Sequence, residues 1–228
     1  DAAGLAISNK MTSQIRGLNQ AVRNANDGIS MIQTADGATQ EVTNMLQRMR
    51  ELAVQANNGT NTSDDKTAIN AEFSELKSQI KQISTNTQWN GTAIIASGVS
   101  SVKFQVGANS GQVITVTFKN IADLSGKMKA VLTSTMSASG GIGALGDAIK
   151  KIDSFRSTLG AKVNRLNYAA DNLTNISTNT AASRSRIQDT DYAQATTEMA
   201  RAQIIQQAAT AMLAQANQQP QSVLSLLR

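Results

Sequence analysis

Residues 11–32 read MTSQIRGLNQAVRNANDGISMI, and the spacing of their apolar side chains decides how the chain folds. Met11, Ile15, Leu18, Val22, Ala25, Ile29 and Ile32 follow one another at steps of 4, 3, 4, 3, 4 and 3. That alternation is a coiled-coil stripe, with a period of about 3.5 residues. After a local shift the stripe resumes at Ala38, Val42, Met45, Met49, Leu52 and Ala56. The only proline, Pro220, lies far downstream, so the strongest helix breaker is absent here. Gly17, Gly28 and Gly37 each cost ~1 kcal/mol relative to Ala, and are expected to let another helix approach rather than to end this one. A helix over 2–57 would be roughly 80 Å long. Alone it cannot bury its stripe, so it needs partner helices.

Downstream, Asn57-Asn58-Gly59-Thr60-Asn61 is a turn cluster. Thr62 is the expected cap of a second helix over 62–85, with Asp65 completing a capping box and Asp64 favouring the helix dipole. Ile69, Phe73, Leu76, Ile80 and Ile83 repeat the same spacing, and the short linker predicts an antiparallel pair. The period then changes. Asn90-Gly91 marks a turn, and Thr92 to Ala96 is a short apolar run. Val102, Phe104 and Val106 alternate with polar residues, as do Ile114, Val116 and Phe118, with a loop at Gly107 to Gly111. This predicts a small β-hairpin region over about 92–118, with Trp89 anchoring it to the helices.

Residues 119–142 form a short insert. Ala122 to Thr135 could make one or two helical turns, and Ser137 to Gly143 reads as a breaker. A third helix is expected over 144–180, on Leu145, Ile149, Ile152, Leu159, Val163, Leu166, Ala170 and Leu173. The polar stretch Ser183 to Thr190 reads as a joint. A fourth helix should start near Thr190 or Asp191 and follow Tyr192, Ala195, Met199, Ala202, Ile205, Ala209, Met212 and Ala216, with Pro220 ending or kinking it. The apolar tail Val223 to Leu227 has to be buried by something. The fold class is therefore mainly α: an elongated antiparallel long-helix bundle, coiled-coil-like, with a small β-hairpin region.

Composition narrows the function. The sequence has no Cys and no His, which removes thiolate nucleophiles, histidine general bases and the usual zinc sets. Aromatic residues are 3%, so the apolar content rests on Ala, Leu, Ile, Val and Met, as in packed helices rather than a compact α/β enzyme. The net charge of +5 is scattered, and no Lys/Arg run marks a nucleic-acid patch. No apolar stretch of about 18 residues exists to cross a membrane, and no cleavable signal peptide is visible. Gly140-Gly141-Ile142-Gly143 lacks the Gly-Lys-Ser/Thr ending of a phosphate loop. Arg184, Arg186, Asp189 and Asp191 read as caps and exposed ion pairs. The sequon Asn172-Leu-Thr174 sits in a predicted helix and is not expected to accept a glycan. The expectation is a structural protein with no catalytic residue, metal or cofactor.

Several stretches resemble bacterial flagellin. They are DAAGLAIS at 1–8, NANDGIS at 24–30, LQRMRELAVQ at 46–55, SRSRIQDTDYA at 183–193, LAQAN at 213–217, Pro220 and VLSLLR at 223–228. The resemblance covers nearly the whole sequence apart from about 95–142. It implies a structural subunit that self-assembles, with other flagellin subunits, into the extracellular flagellar filament for motility. Export through the flagellar type III apparatus, without a cleaved signal peptide, is implied as well. The implied partners are an export chaperone, hook-associated and cap proteins, and the host's flagellin-sensing Toll-like receptor. Neither nucleic acid nor membrane insertion is implied.

The resemblance also carries residues. Gln47, Arg48, Glu51, Leu52 and Gln55 on the first helix, Glu72 on the second and Arg165 on the third match the receptor-binding and subunit-packing surface. Arg48 and Leu52, four apart, are expected on one helix face. Ile204, Ile205, Met212, Leu213, Val223, Leu224, Leu226 and Leu227 match the chaperone-binding and inner-core segment. Two departures are expected. The sequence opens at Asp1 already inside a helical pattern, which reads as an N-terminal truncation, natural or by design. The outer variable region is very short. The expected division is a core rod domain over 1–188 and an inner-core helix over 189–228 that lacks its N-terminal partner. The rivals are a hook-associated junction protein, a secreted hydrolase using Ser or carboxylates, and a nucleic-acid binder.

Overall fold

A computed structural model describes residues 2–96, 101–121, 139–189 and 192–226, of which 139, 140, 192, 193 and 217–226 are described by backbone alone. Among the described residues four helices carry the fold: α1 (Ala2–Ala56), α2 (Ser63–Asn86), α3 (Ser139–Gln188) and α4 (Tyr192–Leu226). Two short antiparallel pairs stand between α2 and α3: β1 (Gln88–Trp89) with β2 (Thr92–Ala93), and β3 (Val102–Gln105) with β4 (Val113–Val116). The protein forms two compact units, Lys10–Ala181 and Asp1–Asn9 with Ala182–Arg228.

The first unit is an antiparallel bundle with one main core and a smaller cluster of Leu18, Ala21 and Leu173. Along α1 the buried line runs Leu18, Ala21, Ala25, Gly28, Ile32, Ala35, Thr39, Val42, Leu46, Met49, Ala53 and Ala56. These steps alternate between three and four without a break. The shift expected after Ile32 does not occur: Ala35 and Thr39, both fully buried, carry the line across. Hydropathy missed them because the stripe there is made of small or polar side chains. The Thr39 hydroxyl donates to the Asp36 carbonyl at 2.8 Å, and that of Thr43 to the Thr39 carbonyl at 3.0 Å. Each therefore enters the core with its polar atom satisfied.

On α3 the buried line is Leu145, Ala148, Ile152, Phe155, Leu159, Leu166, Ala170, Leu173 and Ser177. Phe155 fills the step between Ile152 and Leu159. Two cross-links give the direction. Arg156 reaches Asp36 (Nε to Oδ1, 2.8 Å), and the Ser177 hydroxyl donates to Asn19 Oδ1 at 2.9 Å. Numbers rise on one helix as they fall on the other, so α1 and α3 are antiparallel. α3 starts at Ser139 and ends at Gln188, five residues before and eight after the expected bounds. The glycines over 140–143 and the polar stretch 183–188 are thus helical, because single Gly or Ser residues cost too little to stop a helix that neighbouring turns propagate.

α2 returns along α1, burying Ile69, Phe73, Ile80 and Ser84. Its capping box forms as expected: Asp65 N–H donates to Thr62 Oγ1, and Thr62 N–H to Asp65 Oδ2 at 2.9 Å. The Thr62 hydroxyl also donates to Asp65 Oδ2 at 2.7 Å, and this bond, then that from the Thr62 N–H, holds the Asp65 carboxyl below its ordinary range.

The two hairpins close the bundle. In β1–β2 the residue pairs are Gln88 with Ala93 and Trp89 with Thr92, so Asn90 and Gly91 make a two-residue turn at φ of 48° and 76°. Positive φ at both positions is what a right-twisted hairpin of this length needs. In β3–β4, Phe104 faces Ile114 and Val102 faces Val116. Ile114, Val116, Phe118 and Ile121 join the helical core, while Trp89 and Phe104 pack on it half-buried.

The β3–β4 hairpin lies on α1, where two of the glycines act. A Cβ on Gly28 would stand 3.1 Å from the Phe104 ring, and one on Gly17 would stand 3.1 Å from Ala108 Cβ. These glycines admit a hairpin rather than a second helix. Gly37 meets nothing within 4 Å.

The second unit has no such core. Among its described residues only Ser8 is buried, and its hydroxyl donates to Gln188 Oε1 at 2.6 Å. α4 is helical through Pro220 to Leu226, so the proline neither ends it nor marks its last turn. A proline removes one backbone donor, and the remaining turns of a 35-residue helix continue past it. The expected helical turns at Ala122 to Thr135, the start at Thr190 or Asp191 and the side chains of Asp191, Tyr192, Val223, Leu224, Leu226 and Leu227 lie outside the described residues.

Candidate assembly and recognition surfaces

Most of the site residues expected on α1 and α2 meet on one exposed surface of the bundle. The Arg48 guanidinium bridges two carboxylates: Nε donates to Glu72 Oε1 at 2.8 Å and Nη1 to Glu51 Oε2 at 3.1 Å. Glu51 is one turn along α1, and Glu72 comes from α2 because the two helices are antiparallel. The hydrogen bond to Glu72, then that to Glu51, holds the guanidinium still more firmly in its charged form. All three side chains are about half exposed or more, so the cluster is a surface feature that orients Arg48 without burying it.

Beside it Gln47, Glu51 and Gln55 line a groove of about 750 Å³ with Arg50, Val54 and Ile149. Its lining combines apolar Val54 and Ile149 with four polar or charged side chains, the mixture found at protein-contact surfaces. Arg50, Val54 and Ile149 are not among the expected site residues, Ile149 being expected only on the α3 line. Val54 is 55% exposed, and a large apolar side chain off the coiled-coil line was the available signal.

Two expected residues stand elsewhere. Leu52 is 1% exposed and belongs to the core. Four residues from Arg48 it has rotated about 40° around the helix, which is enough to move it from the rim into the α1 seam. It packs beneath that surface rather than on it. Arg165 is exposed on α3. It lies sixteen residues from the groove's Ile149, about 24 Å along the helix, so it does not join the Arg48 cluster.

The other surface belongs to α4. Met199, Ile204, Ile205, Met212 and Leu213 are between 57% and 71% exposed. Thr196, Thr197, Ala200, Arg201, Ile204 and Ile205 line a shallow depression of about 470 Å³. In the same unit Leu5, Ile7 and Ile187 are also exposed. At the stretch read as a joint, Arg186 donates to the Ser183 hydroxyl at 3.0 Å and Ser185 Oγ donates to Asp189. Among the described residues no cluster of acidic side chains could hold a metal ion, and no helix is long and apolar enough to cross a membrane.

Residues 1–99 match the family profile described as the bacterial flagellin N-terminal helical region, and residues 142–227 match that of the C-terminal helical region. The sequence is 50% identical over 232 residues to a flagellin of Halalkalibacterium halodurans, spanning all of this protein and 85% of that one. It is 41% identical over 245 residues to the flagellar filament 33 kDa core protein of Treponema phagedenis, spanning all of this protein and 86% of that one. Among solved structures, Bacillus cereus flagellin superposes with a TM-score of 0.59 at 31% identity, over 71% of this protein and 94% of that one.

Proposed function

The protein belongs to the bacterial flagellin family, and from that premise we propose that its exposed apolar helix faces are the surfaces through which copies of it assemble. It is a structural subunit of the extracellular flagellar filament and serves motility; it is not an enzyme. The observation that carries the assembly reading is the exposure of Ile204, Ile205, Met212 and Leu213 on a helix none of whose described side chains is buried. An apolar stripe of this kind is unstable in water and is satisfied by a second helix. Repetition of one subunit contact around a helical axis then gives a filament.

The full-length protein with Ile205→Asp and Met212→Asp tests it. Seeded polymerisation, followed by light scattering and electron microscopy, should fail, while the thermal unfolding of the bundle over 10–181 stays where it was. Filaments formed as readily as by the parent protein would refute the reading.

The same α4 segment, with Val223, Leu224, Leu226 and Leu227, is proposed as the part that an export chaperone covers before assembly in the type III route. One apolar face cannot serve both at once, so chaperone-bound protein should not polymerise. Hook-associated and cap proteins would meet the equivalent faces at the filament's ends.

Host Toll-like receptor recognition is proposed for the Arg48–Glu51–Glu72 cluster and the groove that includes Gln47 and Gln55. It is supported by one oriented cation beside a partly apolar groove, which suits a hot spot. Arg48→Ala should weaken receptor signalling without changing helix content. Full signalling by an Arg48→Ala, Glu72→Ala double variant would remove this proposal. Leu52→Ala would also weaken signalling, but through a core cavity that lowers stability, and Arg165 would act as a separate contact.

A further inference from the structure

The sequence has two Asn-Gly pairs, Asn58-Gly59 and Asn90-Gly91, and they are held in different ways. In such a pair the peptide nitrogen after Asn can reach the Asn carboxamide, because glycine brings no side chain to block the approach and allows the backbone to turn. Asn90 and Gly91 form the tight turn of β1–β2 with both φ angles positive. That turn is pinned on both flanks: Trp89 packs on the core, and Ile94 and Ile95 are fully buried. Asn58 lies instead in the irregular link between α1 and α2, exposed together with Gly59 and Thr60. Its Oδ1 accepts a hydrogen bond from the Thr60 N–H at 3.4 Å. That bond spans the Gly59 peptide and keeps the carboxamide on the side of the chain that runs on to Thr60. Among the described residues no backbone acceptor takes the Gly59 N–H.

We infer that Asn58 is a site of spontaneous deamidation in the folded protein and that Asn90 is protected. The Gly59 peptide nitrogen gives its proton to water or hydroxide and attacks Asn58 Cγ, forming a new bond from nitrogen to Cγ. The bond from Cγ to Nδ2 breaks, and Nδ2 leaves as ammonia after taking a proton from water. One water molecule then opens the resulting succinimide at either carbonyl, leaving aspartate or isoaspartate at position 58. No redox partner is required.

The product changes the end of α1. The new negative charge sits at a helix C-terminus, where the macrodipole disfavours it. Isoaspartate also lengthens the backbone beside two bonds that close the helix: Asn58 N–H to the Gln55 carbonyl at 3.0 Å, and Asn61 Nδ2 to the same carbonyl at 2.6 Å. Gln55 lines the groove next to Arg48, so the modification loosens one edge of that surface.

Incubation of the full-length protein at mildly alkaline pH, with peptide mapping by mass spectrometry and enzymatic isoaspartate labelling, tests the inference. Asn58 should be converted at least tenfold faster than Asn90, the factor that an opening cost of about 1.4 kcal/mol imposes on the pinned turn. In denaturant the two rates should converge. A Gly59→Ala variant should fold normally, since a Cβ there meets nothing within 4 Å, and should lose most of the conversion at Asn58. Equal native rates at the two sites, or faster conversion at Asn90, would overturn the inference. So would an Asn58 rate in the native protein well below that in denaturant.

Discussion

The bundle over 10–181 and the unit made of 1–9 with 182–228 are both built from Ala, Leu, Ile, Met and polar helix formers, yet they treat those residues oppositely. In the bundle, Leu46, Met49, Ile80, Ile152 and Leu166 are 0% exposed. In the other unit, Ile204, Ile205, Met212 and Leu213 are more than half exposed. Spacing does not separate the two, since α4 also steps by three and four. The difference is supply: the bundle brings α1, α2, α3 and two hairpins to one core, whereas α4 buries none of its described side chains. The lesson is that an apolar stripe reports a need for a partner and does not say whether the partner is in the same molecule.

The contrast can be broken most directly with matched truncations. Leu46→Ala should cost about 2–5 kcal/mol in urea unfolding of the monomer, because the closed core leaves a cavity. Ile205→Ala should change monomer stability by less than about 0.5 kcal/mol and still slow polymerisation. Comparable losses of monomer stability at both positions would erase the distinction.

The glycines sharpen it next. Gly28→Ala gains about 1 kcal/mol of helix propensity but pushes into the Phe104 ring, an overpacking of about 1–3 kcal/mol. The expected net effect is a loss in thermal unfolding. Gly37→Ala meets open space and should stabilise by about 0.5–1 kcal/mol. A smaller effect is expected at the half-exposed ion pair across the bundle. Arg156→Met should cost about 0.2–0.5 kcal/mol in the same urea titration, and less as salt is raised.

The smallest effect is at the α2 cap. Asp65 has a lowered pKa, chiefly from its hydrogen bond with the Thr62 side chain, then from that of the Thr62 backbone. A carboxylate depressed on folding stabilises the native state above its unfolded pKa, and that contribution is lost as pH falls through the folded value. Asp65→Asn should therefore flatten the acid limb of the urea midpoint and leave its slope near neutrality unchanged.

Much of this was legible without coordinates. The bounds of α1 and α2, the Thr62–Asp65 capping box and the Asn90-Gly91 turn all follow from local chemistry. So does the stretch of α1 that carries Arg48, through its resemblance to flagellin. The seam of α1 was legible only where it is made of large apolar residues. At Ala21, Gly28, Ala35 and Thr39 the buried face is small or polar, and hydropathy has no signal for a side chain hidden by its neighbours. Leu52 falls in the legible part: its spacing places it in the stripe, where it is buried, although motif position alone sets it beside Arg48.

What the sequence determined by itself is the local grammar: periodic helices, a capped start, an Asn-Gly turn, a β-hairpin region, and no Cys or His for thiolate, imidazole or the usual zinc chemistry. These depend on neighbours within a few turns, where propensity and hydrogen bonding are decided by adjacent residues. Only the tertiary structure decided that Gly17 and Gly28 receive a β-hairpin and that Arg48 is braced by Glu72 from another helix. It alone showed the α4 stripe without a cover of its own. Those facts depend on which surfaces meet after the backbone has turned back on itself, and side-chain volume and distance settle them.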